Sequence, residues 1–155
     1  MYKLTAMQPV IEACIGPIQL ARDPLPADIA YIGFRPPCGF PSPAADYETD
    51  SLDIATYLIK NKAASFWFEV TGDSMRRIGI FDGDKILVDR SITPRHGHVV
   101  LAIVDDVFTV KQLVYEDGVP QLHAANPAYP PILFKEGQEL RVWGVVIGSV
   151  KRFMA

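Results

Sequence analysis

Residues 98–114 decide the architecture: His98-Val99-Val100-Leu101-Ala102-Ile103-Val104-Asp105-Asp106-Val107-Phe108-Thr109-Val110-Lys111-Gln112-Leu113-Val114. Two runs rich in β-branched and aromatic residues flank a pair of aspartates, which is the pattern of a β-hairpin. The turn is not the least costly one, because one aspartate must take a positive φ that glycine adopts without strain. Outward from this hairpin the period of two persists. Residues 65–70, 85–89, 121–123 and 140–147 read as further short strands separated by turn signals. Phe66, Trp67, Phe68, Phe108, Trp143 and Val145 alternate on these strands and are expected in the core. Residues 50–59 differ, with N-cap candidates followed by Leu52, Ala55 and Ile59, one short helix. The body is therefore mainly β, a curled sheet or small barrel.

The chain has 155 residues, the size of a single domain, with 49% hydrophobic and 21% charged residues. No apolar run is long enough to span a membrane, and no basic-then-apolar signal opens the chain. A net charge of -3 argues against phosphate-driven, direct binding to nucleic acid. Cys14 and Cys38 form no CxxC pair and have no histidine cluster beside them. That excludes a disulfide scaffold or zinc module, predicts no metal or cofactor, and fits a reducing cytoplasm.

Proline divides the chain. Eight of the thirteen prolines fall in the first 43 residues, and residues 1–50 carry three basic against six acidic side chains. Proline blocks helix interiors and central strands, so residues 1–46 read as an extended arm with few ladder hydrogen bonds, and residues 47–155 as the body. Within the arm, Cys38-Gly39 is a pair of small residues between flanking prolines. A segment held extended in this way suits a protease, which binds its substrate as a strand. Taken alone it also reads as a plain linker.

Two placements in the body can carry chemistry. Thr71-Gly72-Asp73-Ser74-Met75 follows an apolar strand, where a serine can project its hydroxyl from a tight turn beside backbone N–H groups. By itself this pentapeptide reads first as an ordinary surface turn. Lys111 stands in an apolar strand, where it either guards an exposed edge or lies buried. Burial disfavours the ammonium form, and a neutral amine can take the proton of a serine hydroxyl without a histidine. His96 and His98 read as solvent-exposed turn residues, and His123 follows a short strand. Asp82 and Asp84 bracket Gly83 and read as turn formers.

With these features in view, the chain resembles the UmuD branch of the LexA-type self-cleaving serine peptidases. The resemblance rests on residues 38–47 (CGFPSPAADY), Gly72-Asp73-Ser74-Met75, Asp82-Gly83-Asp84 and Phe108-Thr109-Val110-Lys111, and runs from about Pro37 to Met154. It implies a mostly β, commonly dimeric fold with Ser74 as nucleophile and Lys111 as general base. The bond cut would be Cys38–Gly39 of the protein's own arm. It further implies stimulation by a recombinase (RecA) filament on single-stranded DNA after DNA damage. The shortened product would join a Y-family polymerase (UmuC type) in error-prone translesion synthesis. The arm is longer than in the familiar members of the group.

Three other readings fit less well. A self-cleaving transcriptional repressor needs a basic helix-turn-helix, and the acidic, proline-rich first 50 residues do not supply one. A signal-peptidase-like enzyme needs an anchor or an exported location. A pure interaction module would leave Ser74 and Lys111 incidental.

Overall fold

The structure is a computed structural model that describes residues 30–32, 49–51, 53–134 and 140–153. These fall into two units, one holding the elements up to Lys60 and the other everything described from Asn61 onward. In the first unit, β1 (Ala30–Ile32) pairs antiparallel with β2 (Thr49–Ser51), Tyr31 opposite Asp50. The expected helix is shorter than its pattern: α1 spans Ile54–Leu58, because residues 49–51 are strand and Asp53 supplies the cap. Asp53 Oδ1 accepts the Ala55 N–H at 2.9 Å and Oδ2 accepts the Thr56 hydroxyl at 2.6 Å, an N-terminal cap. The expected boundary between arm and body, at 46 and 47, lies outside the described residues, as do Cys38 and Gly39.

The second unit is a seven-stranded antiparallel sheet. Its members are β3 (Ser65–Glu69), β4 (Lys85–Asp89), β5 (Val99–Val104), β6 (Val107–Glu116), β7 (Val119–His123), β8 (Ile132–Leu133) and β9 (Arg141–Val150). The spatial order is β3-β4-β9-β5-β6-β7-β8. The fold is mainly β, with little helix. The decisive hairpin forms as expected, but both aspartates of its turn have positive φ, 48° for Asp105 and 61° for Asp106. A two-residue turn whose twist matches the strands requires this, and aspartate tolerates it better than most residues. β6 also runs on to Glu116 before a second tight turn at Asp117-Gly118, an Asp-Gly hairpin signal that strand alternation alone passes over.

β5 explains why the sheet holds together. Val100 and Ala102 pack in one buried cluster with Leu113, Leu122 and Val142, whereas Leu101 packs in another with Met75, Ile86, Val88 and Trp143. A strand buried on both faces needs apolar residues throughout, which is why its sequence shows a continuous run. β9 serves both clusters through irregular pairing. Leu101 faces Gly144 and the next residue, Ala102, faces Val142, so Trp143 is the extra residue of a bulge. A second register shift falls between Leu87 and Val88. Bulges bend the strand and let the sheet curl.

Gly144 is fixed by a close approach. A Cβ there would lie 2.7 Å from Val88 Cγ1 and 3.1 Å from the Asp89 carbonyl oxygen. Gly144→Ala should cost about 1–3 kcal/mol by overpacking. The urea midpoint measures this, and an unchanged midpoint would show that β4 and β9 separate freely.

Three of the expected core aromatics are not in the core. Phe66, Trp67 and Phe108 are 37%, 46% and 46% exposed. The reason is position: β3 is an edge strand, and Phe108 lies next to the hairpin tip. Trp143 and Val145 are buried and Phe68 is half-buried. Phe66, Phe68 and Phe108 set their rings edge-on to Trp143, with centroids 5.2, 4.9 and 6.4 Å away. Among the described residues, no helix is long and apolar enough to cross a membrane.

Candidate active site

The serine turn is closed at its base by backbone pairing. Val70 N–H donates to the Asp84 carbonyl at 3.0 Å and Gly83 N–H to the Val70 carbonyl at 2.8 Å. Inside this neck, Gly72 takes a φ of 84° and its N–H donates to Asp82 Oδ1 at 2.7 Å. The positive φ lets the chain reverse without a Cβ penalty, so Asp73 and Ser74 follow in a tight turn. Asp82 and Asp84 are turn formers, as expected. Asp84 is buried, accepts the Phe81 N–H at 2.8 Å and pairs with Lys151 at 3.3 Å.

Lys111 is not on an edge. β6 lies between β5 and β7, with Lys111 opposite Val100, and the residue is only 8% exposed. The edge-guard alternative therefore falls. Its Nζ lies 3.0 Å from Ser74 Oγ, 2.8 Å from Thr109 Oγ1 and 3.0 Å from the Val110 carbonyl oxygen. Among the described residues, no carboxylate comes within ion-pair distance of this nitrogen. Burial with no counter-charge disfavours the ammonium and pushes the amine below the ordinary lysine value of 10.5.

Ser74 and Lys111 line one cleft of about 380 Å³, with Val70, Ile86 and Leu101 among its apolar walls and Phe68 and Phe108 also lining it. The three histidines lie elsewhere. His96 Nδ1 accepts the Tyr115 N–H at 3.0 Å, His98 Nδ1 accepts the Arg95 N–H at 3.2 Å, and His123 Nε2 sits 2.7 Å from Gln121 Oε1. His96 is exposed as expected, but His98 is half-buried because its ring folds back to hold the turn. Among the described residues, no group of three or more His, Cys, Asp or Glu side chains could hold a metal. Thr109 carries the signal that the sequence reading missed. It stands two residues before the lysine, on the same face of a strand, where a hydroxyl meets an amine.

Residues 30–147 match the family described as Peptidase S24-like. The chain belongs to this family. It is 37% identical over 131 residues to Protein SamA of Salmonella typhimurium, covering 84% of this chain and 91% of SamA. It is 45% identical over 114 residues to Protein ImpA of Escherichia coli, covering 74% and 77%. To the LexA repressor of Syntrophotalea carbinolica it is 39% identical over 88 residues, covering 57% and 44%. These relatives place it with the UmuD-type members of the LexA-like peptidases.

Proposed function

We propose that this protein is a self-cleaving Ser-Lys peptidase that cuts its own Cys38–Gly39 bond, with residues 1–46 as the arm and 47–155 as the peptidase and dimerisation body. The observation that carries this reading is the 3.0 Å approach of a buried, uncompensated Lys111 amine to Ser74 Oγ. A neutral amine has two N–H donors and one lone pair. Thr109 Oγ1 and the Val110 carbonyl accept the two protons, leaving the lone pair for the serine O–H.

Lys111 takes the hydroxyl proton as Ser74 Oγ bonds to the Cys38 carbonyl carbon, forming a tetrahedral oxyanion. Among the described residues, the backbone N–H groups of Ser74 and Met75 have no acceptor, so they are free to hold that oxygen. The intermediate collapses, the Cys38–Gly39 bond breaks, and the Lys111 ammonium returns its proton to the departing Gly39 amine. Water, activated by the same lysine, then attacks the acyl-serine and frees the Cys38 carboxyl group.

The likeness to UmuD-type relatives supports a role in SOS mutagenesis. In this proposal the protein works as a cytoplasmic homodimer. A RecA filament on single-stranded DNA stimulates cleavage by favouring the docked arm, adding no catalytic group. The shortened chain then serves a UmuC-type Y-family polymerase in translesion synthesis. Intact mass spectrometry tests the reading. Incubation with RecA, ATP and single-stranded DNA should yield a fragment beginning at Gly39, and slow incubation at alkaline pH should yield the same fragment alone. An unchanged mass under both conditions rejects self-cleavage.

A further inference from the structure

We propose that Asn126 is a positioning residue that aims Ser74 at Lys111, an inference that rests on the Ser-Lys reading above. Asn126 is 2% exposed, and both atoms of its amide group are engaged. Its Nδ2 donates to the Asp73 carbonyl oxygen and to Asp73 Oδ2, each at 3.1 Å. Its Oδ1 accepts the Ala128 N–H at 3.1 Å, which fixes the amide's orientation. Tyr129 completes the grip, its hydroxyl donating to Asp73 Oδ1 at 2.6 Å. On the other side of the serine, Ala125 holds Met75 and Arg77: its N–H lies 3.5 Å from Met75 Sδ, and its carbonyl accepts the Arg77 N–H at 3.0 Å.

Residues 125–129 thus hold the residues immediately before and after Ser74. They follow β7, which pairs with β6 at Gln112, the residue after the lysine. The strand pair that fixes Lys111 therefore also carries the clamp on the serine turn, so the two reacting atoms share one frame. A 3.0 Å contact between groups on separate elements needs such a frame, since a misplacement of about 1 Å can cost about 100-fold in rate. A buried amide that donates both its N–H bonds to the residue before the serine is suited to this, and leaving those acceptors unpaired loosens the turn.

The test compares wild type with Asn126→Ala and Tyr129→Phe as full-length chains. Their first-order cleavage is followed across alkaline pH, and each rate is divided by the folded fraction. The expected result for Asn126→Ala is a plateau rate at least tenfold lower with an unmoved pH midpoint, because the burial of Lys111 is untouched. Tyr129→Phe, at an exposed position that leaves the fold intact, should show the same signature at about threefold. A merely structural role would leave the rate per folded molecule unchanged, and that result overturns the proposal. If Asn126→Ala does not fold, Tyr129→Phe decides alone, and a rate equal to wild type overturns it.

A second measurement does not need cleavage. In Ser74→Cys, iodoacetamide modification of the introduced thiol, located by peptide mass apart from Cys14 and Cys38, reports that thiol's coupling to the lysine. Adding Asn126→Ala should raise the pH midpoint of that modification, and an unmoved midpoint again overturns the proposal. Should wild type never cut itself, the cleavage reading fails while this thiol measurement still decides the positioning role.

Discussion

Ser74→Ala and Lys111→Ala should each give a folded chain in which self-cleavage is slower by about 1,000-fold or more, whether driven by alkaline pH or by the recombinase filament. The serine change removes the attacking oxygen. The lysine change leaves that oxygen in place with nothing to take its proton. Lys111→Arg should be as inactive as alanine, because a guanidinium keeps its proton throughout the accessible pH range. In wild type, the rate should climb with pH while the amine is still protonated and level off once it is neutral. The lowered amine pKa sets the direction: the plateau begins below the ordinary lysine value of 10.5. Intact mass and a circular dichroism spectrum of each variant check the expectation. A folded Lys111→Ala chain that cuts at the wild-type rate would remove the lysine from the mechanism.

The second large effect is on stability and has the opposite sign. Lys111→Met should be inactive yet more stable than wild type at neutral pH, by about 1–3 kcal/mol, since an apolar side chain of similar length replaces a buried charge without an ionic partner. The advantage must depend on pH. Lys111 has a lowered pKa in the folded state, so the unfolded chain binds the extra proton in the window between that value and 10.5. Wild-type stability therefore rises with pH through that window, and the deficit is fully present below it. The difference in urea midpoint between the two chains should shrink as pH approaches 10.5. A difference that stays constant across the alkaline range would mean that the folded chain does not perturb the amine.

Much of this was legible in the residues themselves. The hairpin at 98–114 and the strand at 85–89 follow from alternation and from turn chemistry, both local properties. The Asp117-Gly118 turn carries an equally local signal, but the strand reading, which stops at Val114, passes over it. The helix came out shorter than its pattern because residues 49–51 are strand, paired with residues 30–32 far earlier in the chain, a pairing that local periodicity does not encode. Phe66, Trp67 and Phe108 show the same limit. Their period is that of a strand with a buried face, but whether that face is covered depends on which strand ends the sheet.

The site divides along the same line. Ser74, Lys111 and the pair Cys38-Gly39 can be singled out from residue type, spacing and family likeness, because a lysine in an apolar strand is costly enough to need a reason. Its position on an inner rather than an edge strand was not readable, and neither was the hydroxyl 3.0 Å from its nitrogen. Asn126 had no signal at all: a single asparagine after a strand is commonplace, and its importance arises only when the chain brings Asp73 against it. Local sequence determined which segments extend, where they turn and which residues are chemically out of place. Tertiary structure alone decided which strands lie inside and which distant side chains meet, because burial and hydrogen-bond partners are set by contacts between segments far apart along the chain.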